Sequence, residues 1–103
     1  MVLSVAGRPV GLDAAEGRAL CDYLRRLAAE SPSDRGDAEW VARQIEVFLP
    51  LLDRSDVSSP RAGPVLQDKD ADTIRRAIRL ARTQESNVPA TLRELEDALT
   101  PAV

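Results

Sequence analysis

The strongest constraint on this fold is the spacing of the aliphatic residues, which recurs every three or four positions in four separate segments. This spacing places apolar side chains on one face of a helix, and such a helix must bury that face against another element. Loops rich in proline, serine and glycine separate the segments. The apolar stripes comprise Leu20, Leu24 and Leu27; Val41, Ile45, Phe48 and Leu52; Ile74, Ile78 and Ala81; and Leu92, Leu95 and Leu99.

Capping and breaking residues indicate where these helices begin and end. Asp13 and Glu16 have the spacing of a capping box, in which each side chain accepts a hydrogen bond from the other residue's backbone N–H. Asp37 is expected to cap the second helix, and Pro50 should end or kink it because the proline ring clashes with the preceding turn. Pro89 suits the opening of the fourth helix. The four helices are expected at about 13–29, 37–50, 71–85 and 89–99.

Residues 2–12 predict a β-hairpin ahead of the first helix. Valine and leucine residues on either side of Gly7-Arg8 favour strands, and this pair supplies a tight reversal. Pro9 has no N–H to donate, so the second strand is expected either to lie at an edge of the sheet or to start after this residue. The predicted fold is therefore mainly α, a small helix-dominated α+β domain over residues 1–103. In it an N-terminal β-hairpin packs on about four helices, with the second helix at the centre of the core.

Residues 53–67 show no periodic pattern and are rich in serine, proline and glycine. A loop of this length inside a compact domain is usually functional, mobile or the site of a short element. The segment is predicted to be an internal flexible loop. Within it, Pro64, Val65 and Leu66 could add a third strand to the hairpin, and the sequence leaves both interpretations open.

The composition argues against an enzyme. The chain contains no histidine, so it lacks the commonest general base, the commonest metal ligand and the usual pH switch near neutrality. Its one cysteine, Cys21, lies in the middle of the first helix beside Asp22, where a reactive thiolate is disfavoured, and a structural role is expected. No catalytic residue, metal ligand or cofactor is predicted.

An acidic segment before the third helix, Asp68 to Asp72, is similar to the opening of a calcium-binding EF-hand loop. Such a loop needs glycine at its sixth position and glutamate at its twelfth, where this chain has Thr73 and Arg79. Helix capping is the better interpretation, because acids in a first turn accept hydrogen bonds from free N–H groups and interact favourably with the helix dipole.

Four arginines give the third helix the clearest charge asymmetry in the chain, and we call them the arginine stripe. They are Arg75, Arg76, Arg79 and Arg82. Such a surface could meet a phosphate backbone or an acidic partner. The alternative is a solvated face whose arginine stems lie along the edge of the core. This alternative is favoured because the net charge is -3, from 14 basic and 17 acidic residues, and a net-acidic domain is not attracted to nucleic acid.

Three apolar residues are candidates for a protein interface. Trp40 lies beside the buried stripe of the second helix, where core packing is expected, although a position near the helix start would also let it anchor a partner. Val65 and Leu66 lie in the 53–67 segment. The edge of the hairpin is a further candidate, because an unpaired strand edge leaves backbone groups that a second chain could bond.

The functional hypothesis is a small non-catalytic bacterial protein-interaction module that self-associates and has a regulatory or accessory role. The alternative is a transcription-related nucleic-acid-binding protein that uses the arginine stripe. A cytoplasmic location is expected, because no internal disulfide can form and the first residues lack the pattern of a signal peptide. No membrane association is expected, since the longest apolar run, residues 47–52, is far shorter than the roughly 20 residues that span a bilayer.

Overall fold

The computed structural model describes residues 2–5, 7–47 and 62–99, which form three strands and four helices. In chain order they are β1 (Val2–Val5), β2 (Arg8–Gly11), α1 (Ala14–Glu30), α2 (Arg35–Glu46), β3 (Ala62–Leu66), α3 (Asp68–Gln84) and α4 (Ala90–Leu99). The predicted helix-dominated α+β fold is confirmed, and its hairpin belongs to a three-stranded sheet.

The strands follow the order β2-β1-β3 across this sheet. β1 and β2 pair antiparallel, which confirms the hairpin, and Gly7 in the turn has a φ of 80°, a left-handed conformation that glycine adopts without steric penalty. Pro9 lies within β2, which is an edge strand, so the first of the two predicted alternatives is confirmed. β3 pairs parallel with β1, which confirms the third strand, whereas residues 53–61 of the expected loop lie outside the described residues.

The parallel pairing of β3 explains why helices cover one face of the sheet. Parallel strands cannot be joined by a tight turn, so the chain passes through α1 and α2 before it reaches β3. Side chains alternate between the two faces of a strand, and Leu3, Val5 and Leu66 point inward and are buried. They belong to a single cluster of mainly aliphatic residues to which all four described helices contribute.

The helices at the centre of the fold are α1 and α3, not the second helix as its apolar content indicated. α1 and α3 each pack against all three of the other described helices. The predicted stripe of α1, formed by Leu20, Leu24 and Leu27, is buried. Where α1 passes α2, the Cys21 thiol donates a hydrogen bond to the Ala42 carbonyl at 3.6 Å.

The start of α1 confirms a prediction made from local sequence. The Glu16 N–H donates to Asp13 Oδ1 at 2.8 Å, and the Asp13 N–H donates to Glu16 Oε1 at 2.9 Å. Both bonds join residues three positions apart, so the capping box needs no help from the rest of the fold.

The start of α2 differs from the prediction, because Asp37 does not cap it. α2 begins at Arg35, and the Asp34 carbonyl already accepts a hydrogen bond from the Ala38 N–H at 2.8 Å. Asp37 therefore lies inside the first turn, where its charge still interacts favourably with the helix dipole.

α3 begins at Asp68, three residues before the predicted position. The Gln67 N–H donates to the carboxylate of the buried Asp70 at 3.1 Å, so an acid of the first turn bonds a backbone donor. This contact supports helix capping as the role of the acidic segment. In the described ranges no group of three or more metal-ligating side chains comes together.

Candidate interaction surfaces

α2 has one face in the core and one in solvent. Its inner side chains are fully buried, and they are Ala38, Val41, Ala42 and Ile45. On the opposite side Trp40 is 47% exposed, and Val47, which directly follows the last helical residue, is 68% exposed. The expectation that Trp40 packs in the core is therefore wrong, and its alternative placement at the surface is the one observed.

Trp40, Arg43 and Val47 form an exposed row that we call the α2 ridge. Residues three and seven positions apart lie on the same side of a helix, so the ridge extends for about 10 Å along the axis. The ridge holds two of the three large apolar side chains that are exposed in the described residues. Sequence reasoning did not identify Val47 and Arg43 as interface candidates. The seven-residue spacing from Trp40 to Val47, which is out of phase with the buried stripe, was a signal for Val47.

A groove of about 370 Å³ runs beside the α2 ridge, between α1 and α2. Its walls are Arg25, Ala28 and Ala29 from α1, and Arg35, Glu39 and Arg43 from α2. Arg25 also pairs with Glu46. The flank of the ridge therefore carries charges of both signs around a floor of two small apolar residues.

The outer face of the sheet presents the third exposed apolar side chain. Val65 is 78% exposed and lies next to Ser4, which in turn faces Pro9 across the hairpin. Leu66 is only 2% exposed, because consecutive strand residues point to opposite faces. The structure thus separates the two candidates of this strand: Val65 lies at the surface, and Leu66 lies in the core and cannot contact a partner.

The arginine stripe is tied to carboxylates of its own chain near the start of α3. Arg76 Nη1 lies 2.8 Å from Asp34 Oδ1, and its Nη2 lies 3.0 Å from Asp72 Oδ2. Arg75 donates a hydrogen bond to the same Asp72. This hydrogen bond, together with the charge of Arg76, holds the pKa of Asp72 below its usual range.

The other end of the arginine stripe lies against α4. Arg82 donates to the buried carboxylate of Glu96 and has its Nη1 3.6 Å from Asp97 Oδ1. Arg79 is exposed and forms no ion pair within the described residues. The four arginines therefore share one helix, but three of them have their charge compensated by neighbouring acids.

Two buried groups with reactive atoms are held in their neutral forms. Burial, with a further contribution from the Glu46 charge, raises the pKa of the Cys21 thiol to about 12, so almost none of it is thiolate at neutral pH. Burial and a hydrogen bond with Glu85 raise the pKa of Tyr23 above its usual value. The Arg26 guanidinium lies over the Tyr23 ring, 5.9 Å from its centre, and pairs with Glu85 at 3.4 Å. Both residues have structural partners that explain their positions.

Two further findings concern the whole of the described chain: the apolar character of its helices and its similarity to known proteins. Over the described ranges, no helix combines the length and the apolar character that crossing a bilayer requires. Comparison with known proteins finds no matching family model, no matching curated protein and no matching solved structure. The functional argument therefore depends on the surfaces of this chain alone. Within the part of the chain that the structure describes, the α2 ridge holds two of the three exposed large apolar side chains.

Proposed function

We propose that this protein is a non-catalytic interaction module that self-associates through the α2 ridge and has a regulatory or accessory role. The observation that carries the proposal is the exposure of Trp40 and Val47 on one side of a helix whose other side is fully buried. Tryptophan is the residue type most enriched among the energetically dominant residues of protein interfaces, and arginine is also enriched there. The α2 ridge combines both residue types.

A second copy of the chain is the partner that this surface favours. The side of α2 around the ridge carries Arg35, Glu39 and Arg43, which have charges of both signs, and all three are exposed. A strongly acidic or strongly basic partner would be complemented by a surface whose charges all have the opposite sign. A surface with both signs can complement itself when a twofold axis relates two copies.

The non-catalytic part of the proposal has separate support. The chain has no histidine, and the Cys21 thiol is buried with a raised pKa. General acid–base and nucleophilic catalysis need groups whose pKa lies near the working pH. A bacterial, cytoplasmic setting is part of the same proposal, because arginine replaces lysine almost throughout, as in GC-rich genomes, and the one cysteine precludes an internal disulfide.

Nucleic-acid binding by the arginine stripe has less support. Arg75, Arg76 and Arg82 are paired with acids of the same chain, so their field is largely compensated before any phosphate approaches. This hypothesis stays a prediction, and a binding measurement described below tests it.

The proposal is tested by light scattering coupled to size-exclusion chromatography over a wide concentration range. We expect the mass to rise from the 11.2 kDa of one chain towards twice that value. Val47→Lys should keep the protein monomeric, because it places a charge in the apolar contact. Val65→Lys is the matched control on the sheet and should leave the assembly unchanged.

Three outcomes would contradict this proposal. A wild-type mass that stays at one chain up to about millimolar concentration, where even weak association is visible, would exclude self-association. A monomeric Val65→Lys variant together with a dimeric Val47→Lys variant would move the contact to the sheet. Loss of self-association in both variants, with circular dichroism showing that both stay folded, would contradict the assignment of the contact to the α2 ridge.

A further inference from the structure

The outer edge of β2 is an unpaired strand edge within the part of the chain that the structure describes. β2 lies at one side of the sheet and pairs with β1 alone, and all of its residues except Val10 are exposed. A groove of about 490 Å³ lies between β2 and α4, so this helix does not close that side of the strand. An edge of this kind offers free backbone groups to a strand of another molecule, and a second copy of the chain supplies such a strand.

The pairing register shows which backbone groups of β2 face this edge. Val5 and Arg8 flank a two-residue turn and pair with each other, and in such a hairpin the two residues that close the turn exchange hydrogen bonds. Bonded and non-bonded pairs alternate along an antiparallel ladder, so Ser4 and Pro9 form a non-bonded pair. The backbone nitrogen and carbonyl of Pro9 therefore point away from β1, towards the open edge, as do those of Gly11.

We infer that Pro9 closes the outer edge of β2 to antiparallel pairing with a second copy of the chain. An antiparallel strand exchanges two hydrogen bonds with each residue that faces it, one through the N–H and one through the carbonyl. Pro9 has no N–H, and its ring occupies the place where the hydrogen would point. A strand placed there loses a donor and meets the ring, which leaves Gly11 as the one complete pairing position on β2.

Two further features of β2 act in the same direction. The strand is only four residues long, so few ladder bonds are available to a partner. Arg8 is exposed and lies opposite the buried Val5, so its charge lies on the inner face of the sheet, at the edge. Short strands, prolines and inward-facing charges are the means by which natural sheets protect their edges, and β2 combines all three.

Restoring the missing donor tests the inference. Pro9→Thr supplies an N–H in a residue type that favours strands, without adding a large apolar side chain. Gly11→Thr is the matched control, because it adds the same side chain to the same strand at a position that already has an N–H. A Cβ at Gly11 would meet no atom within 4 Å, so the control has room for its side chain. Both substitutions are made in the Val47→Lys background, so that the measurement does not depend on association through the α2 ridge.

Two measurements report on the edge. Sedimentation equilibrium gives the mass, which for Pro9→Thr should rise towards twice that of the Val47→Lys background at about millimolar concentration. Hydrogen exchange followed by NMR reports on the Gly11 N–H, which points outward and becomes protected when a strand bonds to it. We expect its exchange in Pro9→Thr to slow by about tenfold or more as the concentration rises, and to stay unchanged in the background.

The outcomes separate the restored donor from other causes. Association of Pro9→Thr with slowed exchange at Gly11, in the absence of association by Gly11→Thr, supports the inference. A folded Pro9→Thr variant that keeps the mass of its background overturns it. Equal association of Gly11→Thr also overturns it, because the strand propensity of threonine would then explain the effect. Association without slowed exchange overturns it as well, since the contact then lies elsewhere.

A second variant covers a loss of folding. If circular dichroism shows that Pro9→Thr is unfolded, Pro9→Val is measured in the same way, and unfolding of both variants overturns the inference by assigning Pro9 a role in the hairpin itself. The inference and the proposed function fail independently, because the proposed function is decided by the mass of the wild-type chain and the inference by a comparison within the Val47→Lys background.

Discussion

Two helix faces of this protein were candidate binding surfaces in the sequence, and they differ in the folded chain. The arginine stripe on α3 has most of its charges compensated. Asp34, directly before α2, pairs with Arg76, and two acids of α4 lie against Arg82. The α2 ridge keeps an exposed tryptophan and an exposed valine above a fully buried inner face. The comparison shows that a row of charges says little about a binding surface until the positions of the opposite charges are known.

The two faces also contribute to stability in different ways. Exposed ion pairs are usually worth about 0–1 kcal/mol, but a carboxylate buried against an arginine depends on that partner. Asp34 and Glu96 are both buried, so the arginine stripe holds the α1–α2 connection and α4 against α3. The α2 ridge leaves 47% of Trp40 and 68% of Val47 exposed, so a large part of its apolar surface stays available for binding.

The largest expected effect comes from Trp40→Ala, which should raise the dimer dissociation constant by about thirtyfold or more. A tryptophan at the centre of an interface typically contributes about 2 kcal/mol or more. Sedimentation velocity across a concentration series measures the change. Arg79→Ala, on the arginine stripe, is the control, and an equal loss in that variant would remove the distinction between the two faces.

A smaller effect is expected from Arg82→Met, which should lower the free energy of unfolding by about 1–3 kcal/mol because it removes an ion-pair partner of the buried Glu96. Arg79→Met makes the same chemical change at an exposed arginine, and it should stay within about 0.5 kcal/mol of wild type. Urea denaturation followed by circular dichroism gives both values. Equal stability of the two variants would show that the paired and exposed arginines of the stripe are equivalent.

A still smaller effect is expected from Asp72→Asn, and it should depend on pH. The Arg75 hydrogen bond lowers the pKa of Asp72 in the folded state below its ordinary value of 3.8, so the contact stabilises the fold at neutral pH and is lost as the pH falls through the folded-state pKa. Asp72 is about half exposed, so the difference from wild type at pH 7 should be a few tenths of a kcal/mol. Thermal unfolding at pH 7 and at pH 2 measures it, and an equal difference at both pH values would exclude the ion pair as its cause.

No measurable effect is expected when a fluorescent DNA duplex is added at low salt. Paired arginines have little charge left to release counterions from the phosphates. Fluorescence anisotropy of a random duplex is the measurement. Binding that weakens steeply with salt, and with a shallower salt dependence in Arg79→Ala, would instead establish the arginine stripe as a nucleic-acid surface and reverse the comparison.

Local features of this fold were predictable, and features that join distant parts of the chain were less so. The capping box of α1 and the hairpin were predicted because their contacts join residues a few positions apart. The start of α2 was missed, since two acids near it, Asp34 and Asp37, suit a helix start equally well in the sequence. Opposite orientations of Val65 and Leu66 became clear only once the strand around them was known.

The sequence by itself determined four amphipathic helices, a hairpin with proline on its edge strand, and a chain without histidine chemistry, because these depend on periodicity, capping and composition. Only the tertiary structure decided that α1 and α3 are central, that β3 lies parallel to β1, and which helix face keeps its side chains available. The physical reason is that burial and ion pairing depend on distances between residues far apart in sequence. Asp34, from a much earlier part of the chain, pairs with Arg76 of α3. Trp40 stays 47% exposed, whereas the inner face of its helix is fully buried by other elements.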